Sequence, residues 1–184
     1  MLKEIKISIL MTLLLTLLTG FIYPLLVTVL AQVIFPSQAN GSLIKVGDKV
    51  IGSKLIGQNF TSEKYFHPRP SESNYDGLKS GGSNLGPTSK KLIKKVNLLS
   101  DKLKAENPNL QIPSDLVTAS ASGLDPHISP GTAIFQAQRI AHIRGINQQK
   151  LLDLIEKYTE KKLFGVFGEK RVNVLLLNLA LDTL

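Results

Sequence analysis

The chain has 184 residues, enough for one domain and an anchor but not for a second core. Its 22 Lys and Arg against 14 Asp and Glu give a formal charge of +8, which is expected to form an ordinary solvated surface ahead of a site for anionic lipid, nucleic acid or an acidic partner, because basic charge alone carries little information; no nucleic-acid partner is expected. The absence of cysteine excludes a disulfide framework, a thiol nucleophile and a thiolate metal site.

From Ile7 to Ile44 there is no charged residue, and Ile7 to Phe35 is almost continuously apolar. That exceeds the roughly 20 residues needed to cross about 30 Å of hydrocarbon, so residues 7–35 are predicted as a transmembrane helix, with 1–6 before it and one domain, 36–184, after it. A cleaved signal peptide is the competing assignment, with Val29-Leu30-Ala31 as its cleavage site. The apolar run is about twice the usual signal core, which favours a permanent anchor. Pro24 is expected to kink the helix. Ser8, Thr12, Thr16 and Gly20 recur every four residues on one face, the pattern that lets another helix backbone approach closely in lipid, although such hydroxyls also bond their own preceding carbonyls. Lys3 and Lys6 lie directly against the membrane while the next basic residue is Lys45, which predicts a cytoplasmic N-terminus and an extracytoplasmic domain.

Leu43 to Val46 and Lys49 to Gly52 alternate around Gly47-Asp48, predicting a hairpin. Residues 58–89, rich in Gly and Pro, predict a long irregular excursion, pinned to the core by Phe60, Tyr65, Phe66 and Tyr75. Thr88 or Ser89 should cap a helix running to about Asn107 and stopped by Pro108. Ser129 with Pro130 should open a second helix to Arg144, ended by Gly145, and Asn147 a third carrying Leu151, Leu152, Ile155 and Tyr158. Residues 172–184 are an apolar run of ambiguous type in which Asn173, as a cap, favours helix. The fold class is therefore α+β: one N-terminal transmembrane helix, then a single extracytoplasmic domain with a small β element and about four helices.

Chemistry is thinly signalled. His67, His127 and His142 are far apart without matched carboxylate spacing, so no metal site is expected. Ser120, Ser122, Asp125 and His127 crowd together as a triad would, but no nucleophile elbow is present, and a turn of capping hydroxyls accounts for them better. Ser80 to Gly86 exposes backbone amides at low steric cost, a weak anion- or cation-binding signal without the Gly-Lys-Ser/Thr ending of a phosphate loop.

Four internal stretches, Gly57-Gln58-Asn59-Phe60, Tyr65 to Ser71, Ser80 to Pro87 and Asp115 to Pro126, together with Arg171 to Asp182, closely resemble the C-subunit family of the Kdp potassium-transporting ATPases. The resemblance covers nearly the whole chain. It implies an accessory subunit without a catalytic site of its own, in complex with a channel-like potassium-binding subunit, a P-type ATP-hydrolysing subunit and a small single-helix subunit. It also implies a raised ATP affinity of the hydrolysing subunit, with ATP itself as a ligand that the family is proposed to contact and potassium handled by the complex. A domain facing outward cannot meet cytoplasmic ATP, so any such effect is expected to travel through the complex.

The expected interface residues are Ser8, Thr12, Thr16 and Gly20 within lipid. Outside it they are Gln58, Arg69, Asn74, Ser83, Asn84, Asp115, Ser120, Ser122 and Asp125, with Asp115, Asp125 and the carbonyls of Ser80 to Gly86 as the groups suited to lie near an ion path. The alternatives are a membrane-anchored serine hydrolase using Ser120 or Ser122 with His127, and a stand-alone anchored binding protein.

Overall fold

The computed structural model describes Met1–Leu184, which separate into two compact units, Met1–Ser53 and Lys54–Leu184.

The first unit begins with one continuous helix, Leu2–Ile34, none of whose residues is buried. It comprises α1 (Leu2–Leu17), a widened π turn (Leu18–Ile22) and α2 (Tyr23–Ile34). The wide turn sits immediately before Pro24, which has no N–H to donate and whose ring crowds the carbonyl four residues back; opening one turn relieves that crowding without ending the helix. The helix stops at Phe35, and Pro36 opens the single turn α3 (Pro36–Ala39). A side-chain amide pair, Asn40 Nδ2 donating to Gln32 Oε1 at 3.1 Å, ties the two helices together. The predicted hairpin follows as β1 (Leu43–Val46) and β2 (Lys49–Ser53), antiparallel around Gly47, whose φ of +59° is the left-handed conformation such a turn requires.

The second unit is built on a three-stranded antiparallel sheet that the sequence did not announce. β5 (Arg171–Asn173) lies between β3 (His127–Ile128) and β4 (Thr159–Glu160). Strands of two or three residues are too short to show a period of two, which is why this sheet was illegible. The helices match expectation: α4 (Lys90–Glu106), α5 (Pro130–Arg144), α6 (Gln148–Lys157) and α7 (Val174–Leu181). Ser129 caps α5 by accepting from Thr132 N–H, Asn147 caps α6, and Gly145 closes α5 at a φ of +64°. The ambiguous run after residue 171 is both things in turn. Asn173 closes β5, and its side chain then accepts from Leu176 N–H to start α7.

The core gathers Ala133, Ala137 and Ile140 of α5, Leu151, Leu154 and Ile155 of α6, and Val174, Leu177 and Leu181 of α7 around Ile128, Val172 and Phe66. α7 is apolar on almost every side because it is buried almost all round. α4, by contrast, has no buried residue. Residues 58–89 contain no helix or strand, as expected, yet they are firmly held. Phe66 is fully buried, and two buried side-chain amides replace a sheet partner for its stretch of backbone. Asn178 accepts from Phe66 N–H at 2.9 Å and donates to Phe66 C=O at 3.0 Å. Gln136 does the same for His67 at 2.8 and 3.0 Å.

Candidate functional site

The second unit has an open cleft of about 630 Å³ where the excursion, β3, β5 and the turn Ser114–Leu116 meet. Its floor is charged. Arg69 Nη1 lies 3.2 Å from Asp125 Oδ2, and the other oxygen of Asp125 accepts from His127 N–H at 3.0 Å, with His127 Nδ1 at 3.6 Å. Burial alone would raise the Asp125 carboxyl, but hydrogen bonds from His127 and the adjacent Arg69 guanidinium outweigh it and hold the group below the usual carboxylate range. Arg69 Nε and His127 Nε2 are both buried without a partner in the protein.

Asp115 faces the same cleft as a strut. Its carboxylate accepts from Ser129 N–H at 2.8 Å, from Ser129 Oγ at 3.3 Å and from Thr132 Oγ1, so it locks the N-terminal turn of α5 onto the turn carrying Asp115. Lys170 and Arg171 line the opposite rim, and nothing in their local sequence distinguishes them from other surface cations. The cleft thus offers both signs of charge on a rigid backbone, an arrangement suited to recognising polar groups. It assembles no nucleophile with a base. His127 Nε2 bonds to no hydroxyl, and its Nδ1 is turned to Asp125, so neither Ser120 nor Ser122 has a histidine to take its proton.

Those two serines instead stitch loops. Ser120 is buried and its N–H donates to Pro70 C=O at 3.1 Å; Ser122 C=O accepts from Gly81 N–H at 2.8 Å and from Ser80 Oγ at 3.2 Å, while its hydroxyl accepts from Leu124 N–H. Next to Gln58, the buried Gly57 donates to Leu124 C=O at 2.7 Å. Gly57, just before the excursion, and Gly82 within it approach this segment closely: a Cβ on the first would lie 2.6 Å from Asp125 O, and on the second 2.9 Å from Ala121 O. Asn74 and Asn84 occupy left-handed conformations at φ of +52° and +50°, which asparagine tolerates better than most residues, and Ser83 Oγ accepts from Leu85 N–H across that turn. The structure therefore brings Arg69, Asp115 and Asp125 onto one cleft and places Gln58, Ser120 and Ser122 along the seam behind it. Asn74 lies in one turn and Ser83 with Asn84 in another.

In the helix of the first unit, Ser8 Oγ donates to Glu4 C=O and Thr12 Oγ1 to Ser8 C=O, at 2.9 and 2.8 Å. Gly20 leaves open space except toward Thr16. The predicted stripe is thus a smooth face with two of its hydroxyls satisfied internally.

Compared with known proteins, residues 5–183 match the family model described as KdpC, the c chain of the K+-transporting ATPase. The chain belongs to the KdpC family. Among its curated relatives, the potassium-transporting ATPase KdpC subunit of Rhodopseudomonas palustris (strain BisB18) is 54% identical over 99% of this chain and 98% of its own. The corresponding subunit of Myxococcus xanthus is 56% identical over 90% of this chain and 81% of its own, and that of Rhodospirillum rubrum 52% identical over 99% and 96%. Likeness to the KdpC family thus extends through the apolar helix as well as the folded unit, so the helix is part of what the family shares.

Proposed function

We propose that the chain is the non-catalytic accessory subunit of a high-affinity ATP-driven potassium uptake complex, anchored by one helix with its N-terminus in the cytoplasm and its domain outside. The observation that carries this is the KdpC match across residues 5–183. The geometry is compatible with it: a smooth helix face for lateral packing in lipid, and a charged cleft whose His127 is turned to Asp125 and not to Ser120 or Ser122. Potassium binding and ATP hydrolysis then belong to other subunits, a channel-like one and a P-type ATPase one, accompanied by a small single-helix subunit. In the Ser80 to Gly86 turn the Gly81 amide is already bonded to Ser122, which argues against a phosphate cradle there. A raised ATP affinity of the hydrolysing subunit is accordingly a coupling between distant sites through the assembled complex.

The test is gentle detergent extraction through a tag on this chain, identification of the co-purifying subunits, and ATP hydrolysis as a function of ATP and potassium with and without the chain. The expected result is potassium-stimulated hydrolysis whose apparent KM for ATP rises when the chain is missing. Purification of the chain alone, or an unchanged KM, would refute the proposal.

A further inference from the structure

β4 and β5 are neighbours in the sheet and need only a short turn, yet residues 161–170 between them form an arm. It closes on itself through Leu163 N–H to Phe167 C=O at 2.9 Å and the reverse bond at 3.0 Å, with Phe164, Gly165 and Gly168 in left-handed conformations. At its tip Leu163, Phe164, Val166 and Phe167 are 64, 85, 73 and 66% exposed. Elsewhere in this unit large exposed apolar side chains are scattered; here four fall within five residues. Lys161, Lys162, Lys170 and Arg171 ring the base, where Lys162 meets Glu169 at 3.2 Å and Arg171 meets Glu160 at 2.9 Å. Lys161 and Lys170 also border an apolar groove of about 410 Å³ beside Ile134, Leu152 and Ile155, so the apolar surface continues from the arm toward α5 and α6.

We propose that the Leu163–Phe167 tip inserts into the interfacial region of the same bilayer that holds the anchor, with the basic ring at the level of anionic lipid phosphates. This rests on the apolar helix being a membrane anchor. An apolar tip above a cationic collar is the amphipathic pattern of interfacial insertion, and juxtamembrane lysines are drawn to anionic headgroups. A protein-bound loop fits less well, because lysine is depleted in protein interfaces, whereas here three lysines surround the apolar residues. The tether also matters. A chain end fixed in the bilayer holds the folded unit at a high effective concentration relative to lipid, which populates even a weak contact.

The chain has no tryptophan, so Phe164→Trp introduces a unique fluorophore at the tip. The full-length variant is reconstituted into vesicles of phosphatidylcholine, alone or with an equal share of phosphatidylglycerol, with ordinary or chain-brominated lipid. The expected result is blue-shifted emission, quenched about twofold by brominated chains, more in the anionic vesicles, and reduced by adding Lys161→Gln, Lys162→Gln and Lys170→Gln. Phe21→Trp, in the anchor, is the companion variant. Quenching of Phe21→Trp without quenching of Phe164→Trp overturns the inserted tip and leaves the anchor intact; quenching of neither removes the anchor and the tip proposal together. Quenching at the tip that vanishes in the assembled complex would place it on a protein partner and likewise overturn the proposal.

Discussion

Asp115 illustrates how much a single side chain can carry when both of its carboxylate oxygens accept hydrogen bonds. Replacing it with Ala leaves the Ser129 N–H without its acceptor at a half-buried site, which costs about 1–3 kcal/mol. Asp115→Ala should therefore lower the urea midpoint of the folded unit, followed by circular dichroism in detergent, while Asp115→Asn, which keeps an acceptor oxygen, should lower it less. Equal losses would mean that the charge, not the geometry, is what matters. His67 gives a pH dependence. Burial, and secondarily the Arg139 charge, lower its pKa, and its Nε2 lies 3.1 Å from Ser62 C=O, a contact that needs the proton on Nε2 and is made by the neutral ring. Below the ordinary histidine pKa of about 6.5 the unfolded chain takes up a proton that the folded one resists. The stabilising difference is thus fully present above that pH and is lost as pH falls toward the lowered folded value. The urea midpoint should drop between neutral pH and mildly acidic pH in the wild type, and His67→Gln should flatten that drop; parallel slopes would assign the titration elsewhere.

At the scale of elements, the seam between the excursion and residues 118–126 is the part of the molecule most exposed to a small steric insult. A methyl group on Gly82 would stand 2.9 Å from a backbone carbonyl, which cannot swing away as a flexible side chain would. Gly82→Ala should open the seam, and trypsin should then cut at Lys79, whose own N–H bond to Asp76 at 2.9 Å is local and does not anchor it, before it cuts elsewhere in the folded unit. An unchanged digestion pattern would mean that the segment yields without undocking. How far the sequence revealed these elements follows from which signals are local. Caps and stops are local, so Ser89, Ser129, Gly145, Asn147 and Asn173 located helix ends within a residue or so. Phe66 was legible as a pin because an aromatic side chain in a polar loop needs a reason. The reciprocal amide partners of this stretch, Asn178 for Phe66 and Gln136 for His67, were not, since they lie 112 and 69 residues away and look like ordinary helix polars. For the same reason Arg69 could be picked out, but its pairing with Asp125 and the shared cleft with Asp115 required the fold.

For the whole molecule the question is what holds an accessory subunit in its complex, and the chemistry of the two units divides the task. The folded unit presents charge pairs open to water, and such pairs contribute little net attraction, on the order of 0–1 kcal/mol when exposed. The helix is different. In lipid there is no hydrophobic drive between helices, so close approach of backbones decides affinity, and close approach needs small side chains along one line. Ser8, Thr12, Thr16 and Gly20 supply such a line, the last of them within the widened turn Leu18–Ile22. Two of the hydroxyls are already bonded within the helix, so what the face offers a neighbour is chiefly shape. Bulk should then be more damaging than loss of polarity. Thr16→Leu and Gly20→Leu should sharply reduce recovery of partner subunits through the tag, whereas Thr12→Val, nearly the same size without the hydroxyl, should leave recovery close to wild type. The folded unit should keep its urea midpoint in all three, which separates failure to assemble from failure to fold. If Thr12→Val proved as damaging as Gly20→Leu, hydrogen bonds across the helix contact, not close packing, would be what retains the subunit.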